Sequence, residues 1–296
     1  MCQSLPANTN QKTIPAKLPF IIYLLPRFIS SCTKLHTMKY ALITGASKGI
    51  GRAMAEILAS KKRNLLLVAR SSDLLESIAN TLKTQYQIEA DWLSVDFTES
   101  GASYKIQQWC VDKNYSIDIL INNAGYGLSG PFENYTAKEH TDMMQVNMNV
   151  LVELSSLFLP ELKKAPKAHI LNIASSAAYQ AVPGLSVYAA SKSFVLSFSR
   201  GLQYELRHTN LRVTTVCPGG TDTDFANRAN LVEKARKAGE KLNMSADAVA
   251  KIAIDAMLAG KTEKITGLLN QIGAAFVWLL PKKIVEKTAA GIYSQD

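Results

Sequence analysis

Lys39-Tyr40-Ala41-Leu42-Ile43-Thr44 is a short apolar run of strand character, and it feeds directly into Gly45-Ala46-Ser47-Lys48-Gly49-Ile50-Gly51. Beyond the glycines, Ile50, Met54, Ile57 and Leu58 recur at helical spacing. Strand, glycine-rich turn and helix in that order form the setting of a dinucleotide-binding loop. Glycine permits a tight turn and close approach of backbone to a pyrophosphate, and the helix N-terminus favours the phosphate charge. Gly45, Ser47, Lys48, Gly49, Ile50 and Gly51 are therefore candidate cofactor contacts. The spacing is Gly-x-x-x-Gly-x-Gly, not the commoner Gly-x-Gly-x-x-Gly, and a purely structural turn is the other use of such a cluster.

Strand-like apolar runs then alternate with helical patterns. Strands are predicted at Asn64 to Ala69, Ile88 to Val95, Ile117 to Ile121, Ala168 to Ala174 and Leu211 to Cys217. Helices are predicted at Ser71 to Gln85, Thr98 to Asn114, Thr136 to Lys164 and Ser186 to His208. This order specifies an α/β fold, a single doubly wound parallel sheet with helices on both faces. A chain of 296 residues with 47% hydrophobic and 19% charged residues is long and apolar enough for one large core.

Within the run Ser186-Val187-Tyr188-Ala189-Ala190-Ser191-Lys192, the phenol of Tyr188 and the ammonium of Lys192 share one helical face. A nearby ammonium favours phenolate and lowers the tyrosine pKa, making a general acid/base. Ser175, upstream, has the hydroxyl to hold a carbonyl oxygen; neighbouring Ser176 is its rival. Taken alone, the Tyr-x-x-x-Lys spacing also fits an ordinary helix face.

Together these residues resemble the short-chain dehydrogenase/reductase family over about residues 38 to 260. Thr44-Gly45-x-x-x-Gly49-x-Gly51 matches its cofactor loop, and Asn122-Asn123-Ala124-Gly125 matches the motif closing its fourth strand. Asn147, Ser175, Tyr188 and Lys192 match its catalytic tetrad in order and spacing, and Pro218-Gly219 followed by Thr223 matches the turn after its sixth strand. The resemblance implies a Rossmann fold and hydride transfer between a nicotinamide and a carbonyl or secondary alcohol. Tyr188 would give its proton to the substrate oxygen that Ser175 holds. Lys192 would lower the Tyr188 pKa and bond the nicotinamide ribose, and Asn147 would keep a relay water in line with Lys192. The structural alternative for Asn147 is a buried amide satisfying backbone. Asn123, Ala124, Gly125, Pro218, Gly219, Thr221 and Thr223 would line the cofactor, although both threonines also suit an ordinary turn. Asp96 would touch the adenine or, equally, cap the next helix.

Charge argues the choice of cofactor. Arg70 follows the second strand, where an acid would bond a free ribose hydroxyl and an arginine suits a 2′-phosphate. No acid appears there before Asp73, and Lys48 is a second cation, so NADP(H) is expected over NAD(H).

Residues 221–244 lose clear periodicity, and the resemblance implies a substrate lid there. Ser245 is positioned to cap a helix running to about Leu258. Ile265 to Leu280 is strongly apolar and precedes Pro281-Lys282-Lys283. Residues 261–296 are expected to close the pocket, pack on a partner subunit, or touch a membrane surface through 265–283. The long helix from Thr136 and the helix from Ser186 look apolar on more than one face, and pairing of these helices in the family implies a homodimer or homotetramer.

The formal charge of +9 falls to +5 without residues 1–37, which hold Lys12, Lys17, Arg27 and Lys34 and no acid. No basic run remains, which argues against nucleic acid as a partner. Pro6, Pro15, Pro19 and Pro26 break helices in that extension, which reads as a disordered tail or as sequence before a functional start at Met38, with a targeting peptide the lesser option. Cys2, Cys32, Cys110 and Cys217 show no paired or metal-binding spacing with His36, His140, His169 or His208, so no metal is expected and a reducing cytoplasm is the expected location. An inactive dinucleotide-binding sensor and a membrane-surface lipid or keto-acyl reductase are the alternative functions. A sensor would have no use for the proton donor.

Overall fold

The computed structural model describes residues 38–240 and 243–293. The extension 1–37, with Cys2, Cys32 and His36, lies outside the described residues. Alternate residues of β1 (Lys39–Thr44) face opposite ways, Ala41 and Ile43 into one buried cluster and Tyr40 and Leu42 into another. β2 (Asn64–Ala69) repeats this, with Leu65 and Leu67 on one side and Leu66 and Val68 on the other. A strand buried on both faces needs helices above and below it. On one side lie α1 (Gly49–Ser60) and α2 (Ser72–Tyr86). On the other lies α3 (Ala102–Asp112), which follows β3 (Ala90–Ser94).

The chain continues through β4 (Ser116–Asn122), α4 (Ala137–Met144), α5 (Val150–Leu162), β5 (Ala168–Ile173), α6 (Ser186–Glu205) and β6 (Leu211–Cys217). The segment after β6, where the resemblance implies a lid, contains β7 (Thr221–Asp222), α7 (Phe225–Arg228), α8 (Glu233–Glu240) and β8 (Met244–Ser245). The end of the described chain is α9 (Ala246–Leu258), β9 (Glu263–Ile265), α10 (Leu268–Leu279) and α11 (Lys282–Tyr293). Seven strands pair in parallel in the order β3-β2-β1-β4-β5-β6-β9. The order turns at β1 and β4, so their carboxyl ends open the crevice in which such sheets bind ligands. This is the doubly wound Rossmann sheet that the alternating pattern predicts.

The differences from expectation are local. The third strand starts at Ala90 rather than Ile88, because Gln87 takes a left-handed φ of 50° at the end of α2. α3 begins at Ala102, not Thr98, after Gly101 turns the chain at φ 77°. The predicted helix from Thr136 to Lys164 is interrupted by a π turn over Gln145–Asn149, where the Asn147 side chain serves the Tyr126 backbone. β9 has no counterpart in the sequence reading, since Glu263-Lys264-Ile265 is short and polar, as suits a sheet edge. α11 was likewise not separated from the apolar tail. This segment is less formless than its sequence, for β7 and β8 pair across it (Thr221 with Met244, Asp222 with Ser245). Ser245 caps α9 through a 3.2 Å bond accepted from Ala248 N–H.

Candidate active site

Cofactor-loop residues are held by bonds between β1 and β4. The Thr44 hydroxyl donates to the Ile121 carbonyl at 3.2 Å and accepts from the N–H of Asn123 at 3.0 Å and of Ala124 at 3.1 Å. Asn123 Nδ2 returns to the carbonyls of Thr44 and Gly45 at 2.9 and 3.2 Å. A Cβ on Gly51 would overlap the Gly45 carbonyl oxygen, so this helix-to-strand approach requires glycine. No side chain caps the N-terminus of α1, which leaves N–H donors facing the crevice.

Past this loop runs a cleft of about 1260 Å³, beyond the ~300–1,000 Å³ usual for one small ligand. It passes Ser47, Lys48, Gly49, Ile50, Arg70 and Asp96, continues by Asn123, Ala124 and Gly125, and ends among Ser175, Tyr188, Lys192 and the turn from Pro218 to Thr223. A dinucleotide with a substrate at one end fits this extent and this uncapped helix terminus. The Lys48 ammonium, exposed, lies 3.5 Å from Asp224 of the lid. The Arg70 guanidinium lies 3.8 Å from Asp96, so the acid absent from the end of β2 is supplied by the loop after β3. Burial opposes ionisation of Asp96, but bonds from the Thr98 N–H and hydroxyl, both 2.9 Å, with Arg70 and Arg228 nearby, hold its carboxyl below the usual range. Asp96 thus shapes its own turn rather than capping α3.

At the far end, Tyr188 and Lys192 are almost wholly buried in α6. Ser175 begins a short 3-10 turn, accepts from Ala177 N–H at 3.1 Å, and lines the cleft with Tyr188, whose phenol its hydroxyl influences. The Ser176 N–H is taken by the Pro218 carbonyl at 2.7 Å, and Ser175 is the serine that meets the phenol. Lys192 Nζ donates to the Ile173 carbonyl at 3.0 Å and lies 5.9 Å from the centre of the Tyr188 ring.

The expected lowering of the Tyr188 pKa by Lys192 is not found. Burial pushes the phenol up to about 12, with the Ser175 bond pulling the other way, and burial draws Lys192 down to about 8. Removal from water outweighs an ammonium that points at a backbone carbonyl instead of the phenol oxygen.

Asn147 is buried, accepting from Tyr126 N–H at 3.0 Å and donating to the Tyr126 carbonyl at 2.9 Å and the Ser191 hydroxyl at 3.0 Å. A Cβ built on Gly125 would stand 3.0 Å from Asn147 Oδ1 and 3.2 Å from Lys192 Nζ, so both polar atoms approach this glycine closely. Thr221 and Thr223 turn their hydroxyls to their own loop, toward the Gly219 and Thr221 carbonyls at 3.0 and 3.5 Å. The Gly219 N–H reaches the Thr266 hydroxyl at 3.4 Å.

Sequence reading did not single out several residues that line this cleft. Arg228 of the lid sits 5.0 Å from the centre of the Tyr126 ring, and burial, then the charge of Arg70, lowers its pKa. Its only signal was a cation in a patternless stretch. Tyr293 of α11 reaches the cluster around Tyr188, whose ring centre lies 5.3 Å from that of Phe225. Cys110 and Cys217 are buried and free, and among the described residues no three His, Cys, Asp or Glu gather as a metal site.

Residues 39–234 match the family described as short chain dehydrogenase. The very-long-chain 3-oxoacyl-CoA reductase-A of Danio rerio is 34% identical over 188 residues, 61% of this chain and 57% of that protein. The chain thus spans little more than half the length of that relative. A short-chain dehydrogenase from Sphingobium yanoikuyae in complex with NADPH has a TM-score of 0.72 at 29% identity, covering 81% of this chain and 94% of that one. A short chain dehydrogenase/reductase from Burkholderia phymatum in complex with NAD reaches the same TM-score of 0.72 at 24% identity, covering 80% and 92%, and shows the fold alone. The chain belongs to the short-chain dehydrogenase family and is an oxidoreductase of that type.

Proposed function

We propose that this oxidoreductase interconverts a carbonyl and a secondary alcohol with NADP(H), Tyr188 acting as the general acid/base. What carries the reading is the meeting of Ser175 with Tyr188, beside Lys192, at the far end of a cleft that begins at the glycine loop. A bound nicotinamide would supply or accept the hydride. Tyr188 holds its proton at neutral pH and delivers it to the substrate oxygen, which Ser175 steadies by a second hydrogen bond. Lys192 compensates the phenolate left behind, and its residence in a dry site strengthens that compensation. A water beside Gly125, in reach of Asn147 Oδ1 and Lys192 Nζ, would return the proton from solvent.

For the cofactor, Arg70 and Lys48 support a 2′-phosphate, and Arg228 adds a third cation on the lid side. Asp96 and Asp224 offset part of this charge until a phosphate draws the cations away. NADPH in the Sphingobium protein is consistent with this choice. A screen of aldehydes and ketones following NADPH absorbance tests the reading. Tight NADPH binding with no turnover of any carbonyl would favour the sensor instead.

The assembly we infer is a homodimer or dimer of dimers through the faces of α5 and α6. Phe194 and Phe198 stack with ring centres 6.0 Å apart and border a surface groove on α6, with Phe194 38% exposed. A monomeric mass in light scattering at micromolar concentration would refute it.

A further inference from the structure

α10 carries its apolar residues on the wrong side for a helix that only covers a pocket. Asn270, Gly273, Ala274 and Val277 recur on one face and line the active-site cleft. Leu268, Ile272, Phe276 and Leu279 recur on the opposite face and stand in solvent, with Trp278 73% and Leu279 78% exposed. Singly exposed apolar residues are ordinary, but a contiguous patch of this kind marks a contact surface.

Charge indicates what covers it. From Ile265 to Val285 the chain has no acid, and Lys282 and Lys283 stand exposed directly after α10, while Lys287 beyond them is offset by the exposed Glu286. Lys282 Nζ lies 5.9 Å from the centre of the Trp278 ring. Tryptophan with lysines at the rim of an apolar helix face suits a boundary that is apolar on one side and anionic on the other. A second copy placed there by a twofold axis would set these lysines against their own counterparts. The α6 groove offers a copy a less charged seat. Among the described residues no helix is long and apolar enough to cross a membrane, so the contact is one of lying on a surface.

We propose that the outer face of α10 seats on an anionic lipid surface and that the site behind it takes long apolar carbonyl compounds carried in that surface. The substrate part rests on the carbonyl-reductase reading above; the docking part does not. Because one helix has lipid on one face and the substrate cleft on the other, an apolar chain need cross only the width of α10 to enter.

The test is flotation of the full chain with vesicles of phosphatidylcholine alone or mixed with phosphatidylserine. The chain should float with the mixed vesicles and more weakly with the neutral ones. Lys282→Gln and Lys283→Gln should each weaken retention about fivefold on mixed vesicles only. Trp278→Ser with Leu279→Ser should abolish flotation on both, while leaving NADPH oxidation with a water-soluble ketone unchanged. The same pair should lose turnover of a long-chain ketone supplied in vesicles. Absence of flotation, or flotation indifferent to the Trp278/Leu279 pair, overturns the docking. So does a dimer in light scattering that this pair converts to monomer, which would make a second copy the occupant. Failure with the soluble ketone in the unmodified chain would instead strike the reductase reading.

Discussion

The two ends of the cleft are built differently. Between β1 and β4 the cofactor loop is fixed by main chain and short side chains, with Thr44 and Asn123 bonded to strand backbone at 2.9–3.2 Å. On the lid side, the links are long side chains at the surface, such as Lys48 to Asp224 at 3.5 Å, and an apolar cluster of Phe225, Leu231 and Tyr293 around Tyr188. Backbone bonds inside a sheet have few alternatives; solvent-exposed ion pairs and loop-borne rings have many. If the proposed function holds, the grip on the cofactor is specified by position and the choice of substrate by the surface segments.

The largest effect should come where the two ends meet. Tyr188→Phe should lower kcat by about 10²–10⁴-fold, because only the proton donor is lost. Its NADPH dissociation constant, read by fluorescence titration, should barely change, since the strand bonds hold the loop regardless. Lys192→Ala should harm both, as the proposed role of its ammonium serves the nicotinamide ribose and the phenol alike. Near-normal turnover in Tyr188→Phe would remove the assigned chemistry.

Next in size is the cofactor preference, which tests the position-specified end. Charge-assisted bonds from the planar Arg70 guanidinium to a 2′-phosphate should favour NADPH by about tenfold to a hundredfold. Arg70→Ala should erase most of this ratio in kcat/KM while leaving NADH use alone. The Asp96 contact at 3.8 Å predicts a further detail, that Asp96→Asn raises NADPH preference by freeing Arg70. Equal kcat/KM for the two cofactors in the unmodified enzyme would show that Arg70 serves only Asp96.

The pH profile separates the two buried groups. With the phenol near 12, Tyr188 keeps its proton through the neutral range and imposes no limb on carbonyl reduction there. Lys192, near 8, is cationic below that pH and loses its charge above it. The sign is thus a fall in kcat/KM for reduction of about tenfold per unit above pH about 8, where the phenolate is no longer compensated. Alcohol oxidation needs the phenolate first and should instead rise with pH through the neutral range. The alkaline limb of kcat should lie higher than that of kcat/KM, because cofactor phosphates favour the charged lysine. A flat alkaline profile for reduction would mean that Lys192 acts by position and not by charge.

The same contrast explains what could be read from sequence. The strands and the glycine loop announce themselves because burial on both faces and close backbone approach leave few residue types permissible, as at Leu65–Val68 and Gly51. Ser175, Tyr188 and Lys192 are singled out by the family resemblance and not by their spacing, which alone also fits an ordinary helix face; the fold brings all three to one cleft. Arg228 and Tyr293 were not, since a cation in a lid and a phenol on a terminal helix acquire meaning only from what folding sets opposite them. β9 escaped for a different reason: three edge residues with Glu263 bonded to Tyr179 at 2.5 Å have no apolar run to show. The Tyr188 shift runs opposite to the expectation because helical spacing tells which side chains are neighbours and not how dry the site is.

The smallest expected effect probes the lid contact itself. Lys48 and Asp224 are both more than half exposed, so their pairing is screened and weak. Hydrogen bonding from Asn227, then the charge of Lys48, holds the Asp224 carboxyl below the usual range, so the acid is ionised at any working pH. When a phosphate-bearing cofactor enters, Lys48 must choose between Asp224 and the phosphate, and Asp224 repels the newcomer. Asp224→Asn removes both costs and should tighten NADPH binding by no more than about fivefold. Faster release should not accompany it, because the strand-held loop is untouched. The gain should shrink as salt is added and should vanish in Lys48→Ala, where no competition remains. Stopped-flow binding at two ionic strengths measures this directly. Weaker binding in Asp224→Asn would mean that the acid holds the lid closed over the cofactor, and that the adjustable end of the cleft contributes to the grip after all.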